Sequence, residues 1–516
     1  MPKTLAQLTA SLQVTQARGD QQVPILAVCD DSRAVKPGAL FVAVPGYRVD
    51  GHRFIGDAVR TGAVAVLGQS GHLEEAVRRQ GLPADLPRVA VPDSRRALAQ
   101  VASVFYDEPG RHMKVIGVTG TDGKTTTSFL IAAILRAAGH QVGLLNTVAI
   151  EAGAEARLNE TRQTTLEALQ MQQSLAQMVA DGCDYAVVEA TSHGLAQDRV
   201  RACHFDAVVL TNLTPDHLDF HGSFEEYRRA KGRLFQWLAE EAVPEKPGRK
   251  VAVVNADDAS HEFFLGCAPD AEHWIYALDA PADVRASDLV STTAGTRFRL
   301  LAPHGETTVS LKLPGRFNVA NALAAASVGL SQGLGLDEVR WGLESVSAVS
   351  GRMERIDEGQ PFVVVVDYAH TEHGLDTVLA TLRPTIPGRI IVVFGAVGGR
   401  DRPRRFGLGR AAARLADFAI LANEDPKFED PVEILRDIAG PLEEAGWREG
   451  ERYHLIPDRR AAIEAAVRMA QPGDLVLLAG KGHEPSIIIR DESIPWDDRV
   501  AAREALTALR QRSPGR

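Results

Sequence analysis

The chain has 516 residues, too many for one hydrophobic core, so roughly two to four domains are expected. Hydrophobic residues make up 45% and charged residues 24%, the proportions of an ordinary globular protein. A net charge of −10 argues against a broad nucleic-acid or membrane-binding surface, and no apolar run approaches the length of a membrane span.

The N-terminus, MPKTLAQLTASLQ, reads as a short helix and lacks the apolar core of a signal peptide, so a cytoplasmic location is expected. The four cysteines, Cys29, Cys183, Cys203 and Cys267, show no CxxC spacing and read as reduced core residues. A first unit covers residues 1–108. Asp30-Asp31-Ser32-Arg33 forms a turn, Ala39 to Val44 a buried strand, and Gly46-Tyr47-Arg48-Val49-Asp50-Gly51 a polar loop. By themselves these residues fit plain α/β packing with a surface turn.

A second unit, 109–349, is built around Gly117 to Thr127. The run Val115-Ile116-Gly117-Val118 predicts a buried parallel strand. Gly120, Gly123, Lys124 and Thr125 follow, then an apolar-periodic helix with Gly139 beyond its end. Strand, glycine loop and helix together make the setting of a phosphate loop. Backbone N–H groups close on phosphate oxygens, Lys124 reaches the β/γ-phosphates, and the Thr125 hydroxyl ligates Mg²⁺. The standard loop has a glycine where Val118 stands, and a glycine-rich turn with a stray GKT is the alternative. Val142 to Leu145 predicts a second strand, followed by a polar loop with Thr164-Thr165. Tyr185 to Val188 predicts a third, with Glu189 at its carboxyl end, where open α/β sheets bind ligands. Thr191-Ser192-His193-Gly194, Gln197 and Arg199 lie just beyond. Ala207 to Leu210 runs into a loop holding His217 and His221 among carboxylates. A metal or phosphate role for His217 is weighed against a merely structural one. Ser223 with Glu226 predicts a capping box, opening a helix that carries Lys231. Further on, Gly315 to Asn321 precedes an alanine-rich helix, and Asn318 is a cap or a ligand contact.

A third unit covers 350–516. Four apolar runs, beginning at Val363, Ile390, Phe418 and Asp474, each end in a polar cluster: Asp367-Tyr368, Gly395 to Asp401, Asn423 to Lys427 and Gly480 to Glu484. With helical patterns between them, they predict a second doubly wound sheet with a charged rim.

These motifs, taken together over nearly the whole chain, resemble those of the Mur ligases, specifically the MurE-type branch that adds the third amino acid to UDP-N-acetylmuramoyl-L-alanyl-D-glutamate. The similarity rests on Asp31-Ser32-Arg33, Gly120 to Thr126, Thr191 to Arg199, Thr211 to Gly222, Gly315 to Asn321, Gly351 to Glu354, Asp367 to Thr371, Arg400-Asp401, Glu424 to Pro426 and Gly480 to Glu484. The resemblance implies three α/β domains: a uridine-binding N-terminal domain, a central ATPase-like parallel-sheet domain and a Rossmann-like C-terminal domain. It implies ATP at Gly120, Thr121, Asp122, Gly123, Lys124, Thr125 and Thr126, with Asn318 and Arg352 on the nucleotide. It assigns Ser32, Tyr47, Arg48, Val49, Thr164, Thr165, Thr191, Gln197 and Arg199 to the UDP-muramoyl dipeptide. Mg²⁺ would be organised by Thr125, Glu189, His217 and a carbamylated Lys231, with Lys124, His217 and Lys231 catalytic. The incoming amino acid would meet Arg400, Glu424, Asp425, Pro426, Lys427, Gly480 and Glu484.

The implied reaction passes through an acyl phosphate, with domain closure excluding water and a monomer acting on small molecules alone. A folylpolyglutamate or cyanophycin-type ligase is the rival enzyme, and a silent nucleotide-binding protein the rival of another class. Three departures stand out: Asp122 where the family has Asn, Pro403-Arg404 where it has Gly-Lys, and Glu424-Asp425-Pro426-Lys427 where it often has DNPR. A lysine offers no bidentate fork and Asp425 only accepts, so this rim favours lysine or ornithine over meso-diaminopimelate.

Overall fold

The computed structural model describes residues 2–46, 49–152, 155–161, 163–241, 246, 248–399 and 402–512. They group into two compact units that divide between Ile275 and Tyr276.

The first unit contains two larger sheets and a short ribbon of Lys3–Thr4 with Pro24–Ile25. One has the spatial order Gln16–Arg18, Arg88–Val91, Ala63–Gln69, Ala39–Val42, Ala27–Cys29, and is parallel except for its first strand. Alternation decides the packing. Leu40 and Val42 join Leu5, Leu98 and Val101 on one face, while Ala39 and Phe41 join Ile55, Ala58 and Val77 on the other. The expected short N-terminal helix is Leu5–Thr9, closed by a capping box between Thr4 and Gln7.

The other sheet has a parallel core in the order Val142–Leu145, Tyr185–Glu189, Lys114–Thr119, Ala207–Leu210, Val251–Asn255, with Ala149–Ala152 and Glu155–Leu158 added antiparallel beyond Val142–Leu145. The Lys114–Thr119 strand is central, so the loops leaving Tyr185–Glu189 and Ala207–Leu210 flank the loop that follows it. The helix Phe224–Glu240 buries Leu234, Phe235 and Leu238 in the same cluster as Val208, Leu210 and Val254. Its predicted capping box is only half present. Ser223 accepts from the Glu226 N–H at 3.2 Å, but the Glu226 carboxylate turns to Arg229 at 2.7 Å. The nearby cation competes successfully for the carboxylate.

The second unit begins with an antiparallel meander, Val284–Thr292, Gly295–Ala302 and Gly305–Leu311. The alanine-rich helix Arg316–Ser331 follows, buried along most of its length. A sheet in the order Glu354–Ile356, Val363–Asp367, Leu475–Ala479, Ile390–Phe394, Phe418–Leu421, Tyr453–Leu455 completes the unit, parallel after its first strand. Val476 and Leu478 face Ile463 and Ala502, while Leu475 and Leu477 face Leu379, Leu408 and Ile438. Both faces are covered, as the continuous apolar runs require. All four predicted strands form, and their carboxyl ends carry the predicted polar clusters as far as the described residues go, Arg400 and Asp401 lying outside them.

All four cysteines are free thiols. Cys29, Cys183 and Cys203 are buried, but Cys267 is half-buried beside the core, which corrects its reading as a core residue. Among the described residues, no helix is long and apolar enough to cross a membrane.

Candidate active site

The helix Lys124–Ala137 starts at Gly123 in the left-handed region and has no side-chain cap. Its first N–H groups are therefore left for a ligand, as in a phosphate loop. Gly120, at φ +147°, admits no side chain: a Cβ there would lie 1.8 Å from Thr211 Oγ1. That hydroxyl donates to Asp122 O at 2.6 Å, Asn212 Oδ1 accepts from Asp122 N at 3.0 Å, and Thr121 Oγ1 shares hydrogen bonds with Thr214 and the Tyr227 hydroxyl. The loop is thus stitched to the neighbouring strand end. The Asp122 side chain is exposed, so only its backbone takes part in this stitching. The Lys124 ammonium folds back onto Thr121 O at 2.8 Å.

Beside the loop, a single carboxylate oxygen of the buried Glu189 gathers three donors. They are Thr125 Oγ1 at 3.0 Å, Thr147 Oγ1 at 3.0 Å and Thr147 N at 3.1 Å. Thr164 reaches the same cluster by accepting from Thr147 Oγ1 at 3.0 Å. The hard oxygens of Thr125 and Glu189 fit Mg²⁺. Lys231 is almost wholly buried and donates to Gly120 O at 2.6 Å over the Tyr227 ring. Burial, seconded by Lys124, holds its ammonium well below the usual lysine range, against the pull of Asp216, Asp122 and Glu189. His217 takes a left-handed backbone, pairs with Asp216 at 3.3 Å and meets the His193 ring edge-on at 4.7 Å.

The residues expected at the muramoyl dipeptide form one network. Thr165 Oγ1 donates to Glu189 O at 2.9 Å and lies 3.0 Å from Thr191 Oγ1. Arg199 donates to Thr165 O at 3.0 Å and to Gln197 Oε1 at 2.7 Å, and pairs with Glu167 at 2.8 Å. Ser32 opens a short 3₁₀ turn capped by Asp31, and Val49 is exposed on its loop. Tyr47 and Arg48 lie outside the described residues.

In the second unit, Asn318 is buried in the first turn of the helix Arg316–Ser331 and donates to Pro314 O at 2.8 Å; the helix starts at Gly315 without a side-chain cap, so Asn318 is not its cap. The Arg352 guanidinium stacks 4.5 Å over the Tyr368 ring, whose hydroxyl donates to Glu484 Oε1 at 3.2 Å. Lys481, fully buried, donates to Glu484 Oε2 at 2.5 Å and Asp425 Oδ1 at 2.9 Å. Asp425 also accepts from Ile488 N at 2.9 Å. Asp425 is therefore not a free acid, although Lys481 divides its single charge between Asp425 and Glu484. The uncompensated acid is Glu424, which is buried with one oxygen lacking a hydrogen-bond partner. Burial pushes its carboxyl up to about 7 against the pull of Lys481. Gly480 adjoins that oxygen, and Lys427 has a left-handed backbone that bonds both ways to residues 488 and 490. Pro426 is buried between them. Arg400 lies outside the described residues.

Four participants have no role assigned from the sequence: Thr147 and Tyr227, which lie outside its motifs, and Asn212 and Lys481, which lie inside them. Thr147 follows the Val142–Leu145 strand just as Glu189 ends its neighbour, so the strand-end rule that found Glu189 also points to it.

A phosphate loop beside an acid knotted with hydroxyls defines an enzyme that handles a nucleoside triphosphate. Comparison with known proteins narrows the class. Three family models match in chain order: Mur ligase family, catalytic domain, at residues 25–106; Mur ligase middle domain at 118–329; and Mur ligase, glutamate ligase domain, at 351–482. The UDP-N-acetylmuramyl-tripeptide synthetase of Roseiflexus sp. (strain RS-1) is 48% identical over 94% of this chain and 95% of its own. The UDP-N-acetylmuramoyl-L-alanyl-D-glutamate--2,6-diaminopimelate ligase of Geobacillus thermodenitrificans is 43% identical, covering 94% and 96%. A solved structure of a UDP-N-acetylmuramoyl-L-alanyl-D-glutamate--2,6-diaminopimelate ligase is 31% identical with a TM-score of 0.67, covering 99% of both chains. The chain belongs to the Mur ligase family, the ATP-dependent ligases of peptidoglycan precursor synthesis, and has that family's three-domain α/β fold.

Proposed function

We propose that this ligase joins a diamino acid to the D-Glu γ-carboxylate of UDP-N-acetylmuramoyl-L-alanyl-D-glutamate, with functional units at 1–108, 109–349 and 350–516. The observation that carries this reading is the continuous network from Thr125 through Glu189 to Thr165, Thr191 and Arg199. It runs from the phosphate loop directly into the residues assigned to the dipeptide.

The γ-carboxylate attacks the γ-phosphorus of ATP, the bond to the β-phosphate oxygen breaks, and ADP leaves an acyl phosphate behind. The α-amine of the third amino acid adds to the activated carbonyl, loses a proton, and phosphate departs. The loop N–H groups and Lys124 hold the phosphates, and Arg199 with Gln197 orients the dipeptide. Thr125, Glu189, His217 and Lys231 would hold Mg²⁺, which when bound neutralises charge on the transferring phosphoryl. The lowered proton affinity of Lys231 supports its carbamylation. A neutral amine adds to carbon dioxide, forms the N–C bond and releases a proton, so a cation becomes an oxygen ligand.

For the third amino acid, Glu424 supports lysine or ornithine. Glu424, Asp425 and Glu484 outnumber Lys481, and the spare charge suits a substrate ammonium. Meso-diaminopimelate is the second reading, favoured by the name of the 43%-identical relative and by Lys427 in the rim. The test mixes ATP, the UDP-dipeptide and each diamino acid in turn. Dipeptide-dependent ADP release with the highest kcat/KM for lysine or ornithine is expected. Release that ignores the dipeptide removes the ligase reading, and a clear preference for meso-diaminopimelate replaces the first amino-acid reading with the second.

A further inference from the structure

Lys481 is a fully buried cation whose two acceptors are both residues assigned above to the incoming amino acid. We propose that Lys481 is a positioning residue for the amino-acid step, fixing Glu484 and Asp425 in one orientation and offsetting one of their two charges. This inference rests on the function proposed above.

The geometry restrains both oxygens of Glu484. Lys481 donates to Oε2 at 2.5 Å and the Tyr368 hydroxyl to Oε1 at 3.2 Å. The Tyr368 ring is set in turn by Arg352, stacked 4.5 Å above it. The backbone beside Arg352 is closely packed as well. Gly351 packs so tightly on the 482–483 turn that a Cβ there would lie 2.2 Å from His483 N. On the other side, Asp425 is restrained by Lys481 and Ile488 N. The chain Arg352–Tyr368–Glu484–Lys481–Asp425 therefore links a residue assigned to the nucleotide with two assigned to the amino acid. A solvated lysine would hold nothing. Here the ammonium is closed off from water, and the two carboxylates take the place of the solvent it has lost. Lys481 has no exposed surface with which to touch substrate, and it acts through Glu484 and Asp425.

The experiment uses the full chain with Lys481→Met, varying each substrate in turn. The KM for the diamino acid should rise about tenfold or more, while those for ATP and the dipeptide stay within about twofold. Isotope exchange between ATP and ADP that needs the dipeptide but no amino acid should persist. An unchanged diamino-acid KM overturns the proposal, and so does a parallel rise in all three constants, the mark of general loosening. If Lys481→Met does not fold, Tyr368→Phe reads the same network by deleting one hydroxyl. It should raise the diamino-acid KM about threefold at constant ATP KM, and no change overturns the proposal. Absence of the dipeptide-dependent exchange in the unaltered chain rejects the proposed function itself, a result distinct from any of these.

Discussion

Replacing Lys231 with alanine separates a structural lysine from a chemical one. The side chain is buried, donates to Gly120 O at 2.6 Å and lies 4.7 Å from the Tyr227 ring centroid. Losing a hydrogen bond from a charged donor costs about 1.5–3 kcal/mol. Losing three buried methylenes costs about 2 kcal/mol more. Against these losses, burying an ammonium costs several kcal/mol, which the variant no longer bears, and alanine suits the middle of the helix Phe224–Glu240. The opposing contributions nearly cancel. The net change is about 2 kcal/mol or less, and the Tm should move by no more than about 5 °C.

Activity should behave differently. If Lys231 supplies a carbamate oxygen to the metal, ligation falls about 10³-fold or more. The assay is ADP release with all three substrates, with and without added formate or acetate. The alanine variant leaves space for a small carboxylate beside Gly120, so partial recovery is expected. Lys231→Met fills that space and should show the same loss without recovery. Near-normal turnover in the alanine variant, or equal recovery in the methionine variant, refutes the reasoning.

Lys124→Ala should reduce ATP turnover about 10³-fold or more by removing the cation on the transferring phosphoryl, and an ADP-release assay near the unaltered rate would mean the loop is not used. Glu424 gives a pH signature. Its folded pKa of about 7 exceeds the ordinary 4.5, so the fold binds this proton more tightly than the unfolded chain. Stability therefore falls as pH rises between those values, and the Tm advantage of Glu424→Gln should grow from about pH 5 to about pH 8. A constant difference over that range contradicts the burial argument.

Much of this site is legible in the sequence because strand ends mark it. Apolar runs of β-branched residues form strands buried on both faces. The first polar residue after each run must then lie at a rim, and Glu189, Asp367 and the 423–427 and 480–484 clusters follow from that rule alone. Spatial strand order is not legible in this way. It places the ends of Tyr185–Glu189 and Ala207–Leu210 on either side of the phosphate loop, so Asn212 and Thr211 hold the loop's backbone. Charge pairing is equally hidden. In the sequence Asp425 reads as a free acid, but a lysine 56 positions away pairs with it and with Glu484, while Glu424 keeps a buried oxygen without a hydrogen-bond partner.

The same distinction between position and charge accounts for Asp122. An acid in a phosphate loop threatens to repel phosphate, yet this one contributes only its N–H and carbonyl to the loop's framework. Its carboxylate is exposed, where solvent screens it. What charge it projects inward falls on Lys231, where it partly opposes the depression caused by burial and by Lys124. The backbone geometry that binds phosphate depends on Gly120, Gly123 and the strand ends on either side, none of which needs an amide at position 122. Replacing asparagine by aspartate changes the electrostatic balance around Lys231 and leaves the cradle intact.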